Sequence, residues 1–176
     1  MEGVFSWDKQ KVFWCNVGNL TKSLTVPVCA IYDNYEPSTK QAKSSENVRK
    51  CRLECNYAKQ EMHTRHVKKG CTHQDLCCGR GGNLHKFSHQ APEILVGIDI
   101  SPHAIEEAVK RNALITNINA RFFVSNMADA STHDAILDKL KKYKFSSVSI
   151  MFAIHYMCES QKTCDAFLSF FNRLNT

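Results

Sequence analysis

Asp75-Leu76-Cys77-Cys78-Gly79-Arg80-Gly81-Gly82 is followed, after a short segment, by Glu93-Ile94-Leu95-Val96-Gly97-Ile98-Asp99, an apolar run that ends in a carboxylate. Glycines after a strand let the main chain approach a ligand closely. An acid at the tip of the next strand, about 20 residues on, can accept hydrogen bonds from both hydroxyls of a ribose. The two segments together predict a nucleoside-binding α/β unit, whereas the glycine loop alone would say little.

Dinucleotide sites use three glycines to clear space for a pyrophosphate at a helix N-terminus. Here the first of those positions is Cys77, and the loop opens from the acidic Asp75. An anionic side chain beside the loop repels a pyrophosphate but suits a ligand that carries an ammonium and a sulfonium. S-adenosylmethionine therefore fits these residues better than NAD.

Working outward, the pattern predicts a helix from about residue 82 to 88, a strand to Asp99, and a helix from Pro102 to about Leu114. A strand over 121–125, a helix over 132–143, a strand over 146–154 and a helix over 159–174 follow. Such alternation means a parallel sheet with helices on both faces. Ser101 as N-cap with Pro102 at the first helical position supports the second helix. Upstream, residues 46–67 contain neither Gly nor Pro and read as a polar amphipathic helix. The strand that should enter Asp75 is the anomaly, because Cys71-Thr72-His73-Gln74 is more polar than a buried central strand usually tolerates.

Residues 1–45 read as an N-terminal extension. Segments 11–15 and 25–32 are strand-like, and a polar stretch through Ser45 reads as a loop. The domain proper is expected over 46–176, as an α/β, Rossmann-like parallel sheet truncated after its fourth strand and the helix that follows. Val148 to Ala153 would then stand at a sheet edge. That edge would be covered by the strands near residues 12 and 28, or by a protein partner, or the chain is a fragment.

With 176 residues and 43% hydrophobic content the chain holds one core's worth of sequence. It has no run of 18 or more apolar residues, and its start lacks the basic and apolar regions of a signal peptide, so no membrane association is expected. Nine cysteines, odd in number and irregular in spacing, read as reduced thiols rather than a disulfide framework. Cys51, Cys55, His63 and His66 would lie along one straight helix and could not converge tetrahedrally, so no metal is expected. A net charge of +6 and a pI near 8.8 favour an anionic partner such as RNA. The basic run Lys139 to Lys144 reads as a solvated helix C-terminus.

After the fourth strand comes Phe152-Ala153-Ile154-His155-Tyr156-Met157-Cys158-Glu159-Ser160. Both the imidazole and the phenol can stack on or hydrogen-bond to a planar base at the carboxyl end of a sheet.

In order along the chain, four segments resemble the eukaryotic and large-virus mRNA cap guanine-N7 methyltransferases. These are Val48-Arg49-Lys50 with Asn56-Tyr57-Ala58-Lys59, the loop from Asp75 to Leu84, Gly97 to Ser101, and Phe152 to Ser160. The last is the most specific. The resemblance implies transfer of a methyl group from S-adenosylmethionine to guanine N7 of capped RNA, with no catalytic base, because N7 already carries a free lone pair.

On the cofactor side the resemblance implies Lys59 at the methionyl carboxylate and Asp99 at the ribose. Gly79 and Gly81 would pass the backbone beneath the cofactor, with Asp75, Cys77, Met127 and Met151 around it. Asn126 would face the adenine amine, with Asp129 as the alternative. On the cap side it implies His155 and Tyr156 at the guanine, Arg80 and Arg111 at the triphosphate bridge, and Asn56 nearby. It also implies the nucleus, or the cytoplasm for a viral protein, and no DNA specificity. The departures are Met151 for a polar Gln, Ser146 and Asn83 for Asp, and Cys55 for Asn or His. Two other classes remain open: a catalytically weak module that binds RNA or a partner, and a small-molecule methyltransferase.

Overall fold

The computed structural model describes residues 4–7, 10–13 and 46–174, with side chains from residue 53 onward. The chain divides into two units, Met1–Pro37 and Ser38–Thr176. In the first, β1 (Val4–Trp7) and β2 (Gln10–Phe13) pair antiparallel, with Val4 opposite Phe13. The strand expected near residue 12 thus pairs within its own hairpin. The segment 25–32 and the polar stretch through Ser45 lie outside the described residues.

The second unit opens with α1 (Glu46–His66), then β3 (Thr72–Leu76), α2 (Leu84–Gln90), β4 (Ile94–Asp99), α3 (Pro102–Asn112) and β5 (Ala120–Val124). A 3-10 turn (Ala130–Thr132) leads into α4 (His133–Leu140). After it come β6 (Ser147–Ile150), the short α5 (Ile154–Met157) and α6 (Gln161–Arg173). All pairings in this sheet are parallel and its order is β5-β4-β3-β6. The chain winds outward from β3 to β5 and then returns to the other side of β3. The order reverses between β3 and β6, and open α/β sheets bind ligands at the carboxyl ends of strands flanking such a reversal. Among the described residues nothing pairs with the outer edge of β6.

Side-chain alternation separates two cores. Leu76, Val96 and Ile98 face Met127, Ile136, Leu140, Met157, Phe167 and Phe170, drawn largely from α4, α5 and α6. On the other face Leu95 and Ala120 pack with Leu84 and Phe87 of α2 and with Val67, which follows α1. Helices therefore cover both faces, as the alternation predicted. Ser101 caps α3, its hydroxyl accepting from the Ala104 N–H at 3.2 Å.

The polar β3 is reconciled by its neighbour. Register sets His73 opposite Ser147 and Asp75 opposite Ser149, so the polar residues of the two strands meet on one face. His73 Nδ1 lies 2.7 Å from Ser147 Oγ and Nε2 lies 2.9 Å from Ser149 Oγ. Ser149 in turn donates to Asp75 Oδ1 at 2.7 Å. With the carboxylate ionised, this chain of bonds makes His73 the neutral Nε2–H tautomer, since Ser149 spends its only proton on Asp75. A buried strand tolerates such residues when every member of the network is satisfied. Gln74 points to the opposite face, fully buried, and neither of its amide atoms has a partner.

The largest departure from the predicted boundaries is in the fourth sheet strand. It ends at Ile150 rather than running to Ile154, because Phe152 adopts φ 60° and turns the chain out of the sheet. His155 and Tyr156 consequently sit on α5, not on a strand end.

Candidate functional site

Two neighbouring strands leave the sheet through non-glycine residues in left-handed conformations, Cys77 (φ 55°) after β3 and Phe152 (φ 60°) after β6. Each costs on the order of 1 kcal/mol, and such strain gathers at functional sites. It falls here at the strand-order reversal. Gly79 (φ 53°) and Gly81 (φ 71°) complete the loop from β3 to α2.

The loop is tied to β4 from below. Cys78 N–H donates to the Ile98 carbonyl at 3.0 Å, and Gly79 N–H donates to Asp99 Oδ2 at 2.8 Å. The other oxygen, Oδ1, accepts from Ser101 N–H at 3.0 Å. Asp99 is thus oriented by backbone donors from both sides. Each carboxylate oxygen retains acceptor capacity, so the half-buried group can still receive ribose hydroxyls.

Asp75 lies beneath the loop, 3% exposed, held by Ser149 and by Asn83 Nδ2 at 3.4 Å. Burial raises its pKa to about 6, against the lowering effect of these bonds and of Lys59. The Cys77 thiol is pushed up to about 12 by burial and by the charges of Asp99 and Asp75. Cys78 moves well upward for the same reasons. Both stay protonated thiols at neutral pH and offer no thiolate nucleophile.

Above the loop, α1 delivers Lys59. Its Nζ stands 4.9 Å from the centroid of the Phe152 ring, a cation–π contact, and its charge is felt by Asp75, Lys86 and His63. Lys59 therefore joins the β3 loop to the segment after β6. One turn further on, His63 is buried against Phe87 and His73 at centroid distances of 4.2 and 6.2 Å. It faces the inside of the fold.

The remaining predicted residues divide. His155 and Tyr156 are exposed on α5 with ring centroids 3.9 Å apart. Met151 is half-buried between β6 and Phe152. Arg80 is half-buried in the glycine loop, Arg111 is exposed in the last turn of α3, and Asn56 is exposed on α1. Asn126 is half-buried and its Oδ1 accepts from Ala128 N–H at 3.1 Å, closing the turn after β5. Asp129 is committed elsewhere, accepting from the N–H and hydroxyl of Ser131 as the N-cap of the 3-10 turn.

Two of these residues also have structural duties. The Met127 side chain is 1% exposed and belongs to the core under α4 and α6, so only its main chain is available to a ligand. A Cβ on Gly81 would fall 2.7 Å from Leu84 Cδ1 and 3.2 Å from Ala108 Cα, so this glycine serves the approach of the loop to α3. Sequence reasoning missed the Ser147–His73–Ser149 chain beneath Asp75. The signal was the shared alternation of polar residues in two adjacent strands.

The basic run after α4 is solvated, Lys141 pairing with Asp138 at 2.6 Å and Lys142 lying over Tyr143. An open cavity of about 360 Å³ near it, lined by Ile94, Asn119, Arg121, Lys142 and Tyr143, lies at the amino ends of the strands, away from the site. Among the described residues no helix is long and apolar enough to cross a membrane.

Fold and site together define a Rossmann-like α/β protein that gathers its glycine loop, Asp99 and Lys59 at the carboxyl edge of its sheet. The family model for the mRNA (guanine-N(7))-methyltransferase domain matches residues 28–174, and the chain belongs to that family. It is 31% identical over 102 residues to an mRNA cap guanine-N(7) methyltransferase of Drosophila melanogaster, covering 53% of this chain and 24% of that protein. A Schizosaccharomyces pombe protein of the same name is 29% identical over 89 residues, covering 50% and 24%. A probable mRNA-capping enzyme of Acanthamoeba polyphaga mimivirus is 28% identical over 160 residues, covering 76% and 14%. The chain thus spans about a quarter or less of the length of these relatives. Among solved structures, the PH0226 protein of Pyrococcus horikoshii OT3 shares the fold, with a TM-score of 0.51, 21% identity, and coverage of 84% of this chain and 61% of that one.

Proposed function

We propose that this chain carries the cofactor site and part of the cap site of an mRNA (guanine-N7)-methyltransferase. It would bind S-adenosylmethionine and 5′-capped RNA. The observation that carries the reading is Lys59, which stands over Phe152 while its charge acts on Asp75. It links the cofactor-type loop to the segment bearing His155 and Tyr156.

The residues fit that cofactor. Asp99 would accept from ribose hydroxyls, and its orientation is fixed by Gly79 and Ser101. Lys59 supplies an ammonium for a methionyl carboxylate, while Asp75 and Asp99 make the surroundings anionic and so favour a cationic ligand over a pyrophosphate. Asn126 supplies an amide acceptor for an adenine amine.

When bound, the cofactor supplies a methyl group already activated on a sulfonium sulfur. The chain must then hold guanine N7 in line with that methyl, and no residue need remove a proton from N7. His155 and Tyr156 hold the base, and Arg80 and Arg111 face the triphosphate. Exclusion of water from the site strengthens each of these contacts. This reading puts the protein in the nucleus, or in the cytoplasm for a viral product.

Thermal melting with S-adenosylhomocysteine and then a capped guanosine dinucleotide tests it. Ligand at 100 times its dissociation constant stabilises by about 2.7 kcal/mol. The expected result is a shift with the first ligand that grows with the second, the second increment vanishing in His155→Ala/Tyr156→Ala. A folded chain that responds to neither would favour a module that binds a partner without methyl transfer.

A further inference from the structure

We propose that Cys158 and Cys164 are a redox modification site, closing reversibly into an intramolecular disulfide that clamps α5 to α6. Their sulfurs already touch at 3.7 Å, and Cys158 is exposed while Cys164 is half-buried. A disulfide requires about 2.05 Å, so the sulfurs must close by roughly 1.7 Å.

Both cysteines are held in place by local structure. Cys158 is the C-cap of α5, and its N–H donates to the His155 carbonyl at 3.3 Å. Cys164 lies in the first turn of α6, and its N–H donates to the Ser160 carbonyl at 3.0 Å. Between them Ser160 and Thr163 form a reciprocal capping box that fixes the start of α6. The two thiols are therefore presented to each other by a rigid corner. The other described thiols are less available: Cys71 and Cys78 are buried, and Cys55 and Cys77 are half-buried on separate elements.

The oxidant is a low-molecular-weight disulfide. One thiol, as its thiolate, attacks the oxidant and releases a small thiol. The second thiolate then attacks the mixed disulfide and releases another. One S–S bond forms, one breaks, and the two electrons and two protons leave on the two released thiols. Burial and the adjacent Cys164 thiol raise the pKa of Cys158, so the reaction should accelerate as pH rises above neutral. A disulfide with one exposed sulfur, Cys158, is open to attack by small thiols and so belongs to the labile, regulatory class.

The clamp acts on the helix that carries His155 and Tyr156. Any effect on guanine binding rests on the proposed function, but the cross-link itself does not.

Oxidised glutathione followed by acid quenching, alkylation with N-ethylmaleimide and tryptic mapping reads the bond directly. Trypsin cuts after Lys162, so the disulfide joins the peptides 145–162 and 163–173. The expected result is this joined pair, parallel loss of alkylation at Cys158 and Cys164, reversal by dithiothreitol, and slower hydrogen exchange over residues 154–158. Cys158→Ser and Cys164→Ser should each abolish it while melting as the parent does. A folded, oxidised chain in which both thiols stay alkylatable, or in which either joins a different cysteine, overturns the proposal. If the bond forms but exchange in α5 is unchanged, the clamp is overturned.

Discussion

Ser149 stands opposite Asp75 across the β3–β6 pair and donates its hydroxyl proton to Asp75 Oδ1 at 2.7 Å. This bond links the second half of the sheet to the floor of the glycine loop. It also answers one of the few charges buried in the described core. Ser149→Ala should leave a buried carboxylate with only the long Asn83 contact and His73 without its Nε2 acceptor. The expected loss is about 1–3 kcal/mol, the cost of an unsatisfied buried polar group, read as a lower urea midpoint at pH 7. The Asp75 pKa should rise further above its value of about 6, which a carboxyl titration by NMR would register.

Acid should act mainly through the packing of α1 on α2. Burial and the positive charges of Lys86 and Lys59 lower His63 to about 4, and burial lowers His73 to about 3. Both are neutral when folded and take up protons on unfolding. Stability is therefore lost as pH falls below 6.5, down to about 4 for the first and about 3 for the second. Asp75 works in the opposite sense: its raised pKa contributes stability that is full below 3.8 and is lost as pH rises through about 6. Between pH 6 and 4 these groups leave a net uptake of one proton on unfolding, a slope of about 1.4 kcal/mol per pH unit. His63→Leu removes two nitrogens that have no partner and should flatten that slope without loss at pH 7. A urea series across this range would sink the account if parent and variant ran parallel.

Gly81→Ala separates architecture from ligand contact. The new methyl would meet Leu84 and the Ala108 backbone, at a φ of 71° that alanine resists. A loss of about 1–3 kcal/mol is expected in the ligand-free chain. A variant as stable as the parent would show that the loop is free to move from α3.

The β/α alternation and the acid at the end of β4 are local patterns, and both the parallel sheet and the position of Asp99 follow from them. The end of β6 is not legible because Ile150 to Ile154 is apolar throughout, while the turn is made by Phe152, a residue with no sequence mark of positive φ. The resemblance sets Met127 beside the cofactor without saying which way its side chain points, and that direction, into the core, follows from the packing of α4 and α6. The polar β3 looked incompatible with burial because its partners, Ser147 and Ser149, lie more than 70 residues away. Pairing of that kind becomes visible only once register is known.

Asp99 has a structural duty and a proposed binding duty, and its variants should divide them. Its Oδ2 accepts from Gly79 N–H and its Oδ1 from Ser101 N–H, so Asp99→Ala frees two backbone donors at the loop and at the start of α3. Asp99→Asn keeps one oxygen for one of these donors and removes the charge. Hydrogen bonds to a charged acceptor are worth about 1.5–3 kcal/mol, so either change should weaken S-adenosylhomocysteine binding by about 10- to 100-fold. Asn should cost less stability than Ala, because its carbonyl still serves the backbone. Calorimetric titration beside urea denaturation reads both effects on the same samples. If Asp99→Asn bound the ligand as tightly as the parent, the carboxylate would serve only to tie the glycine loop to β4.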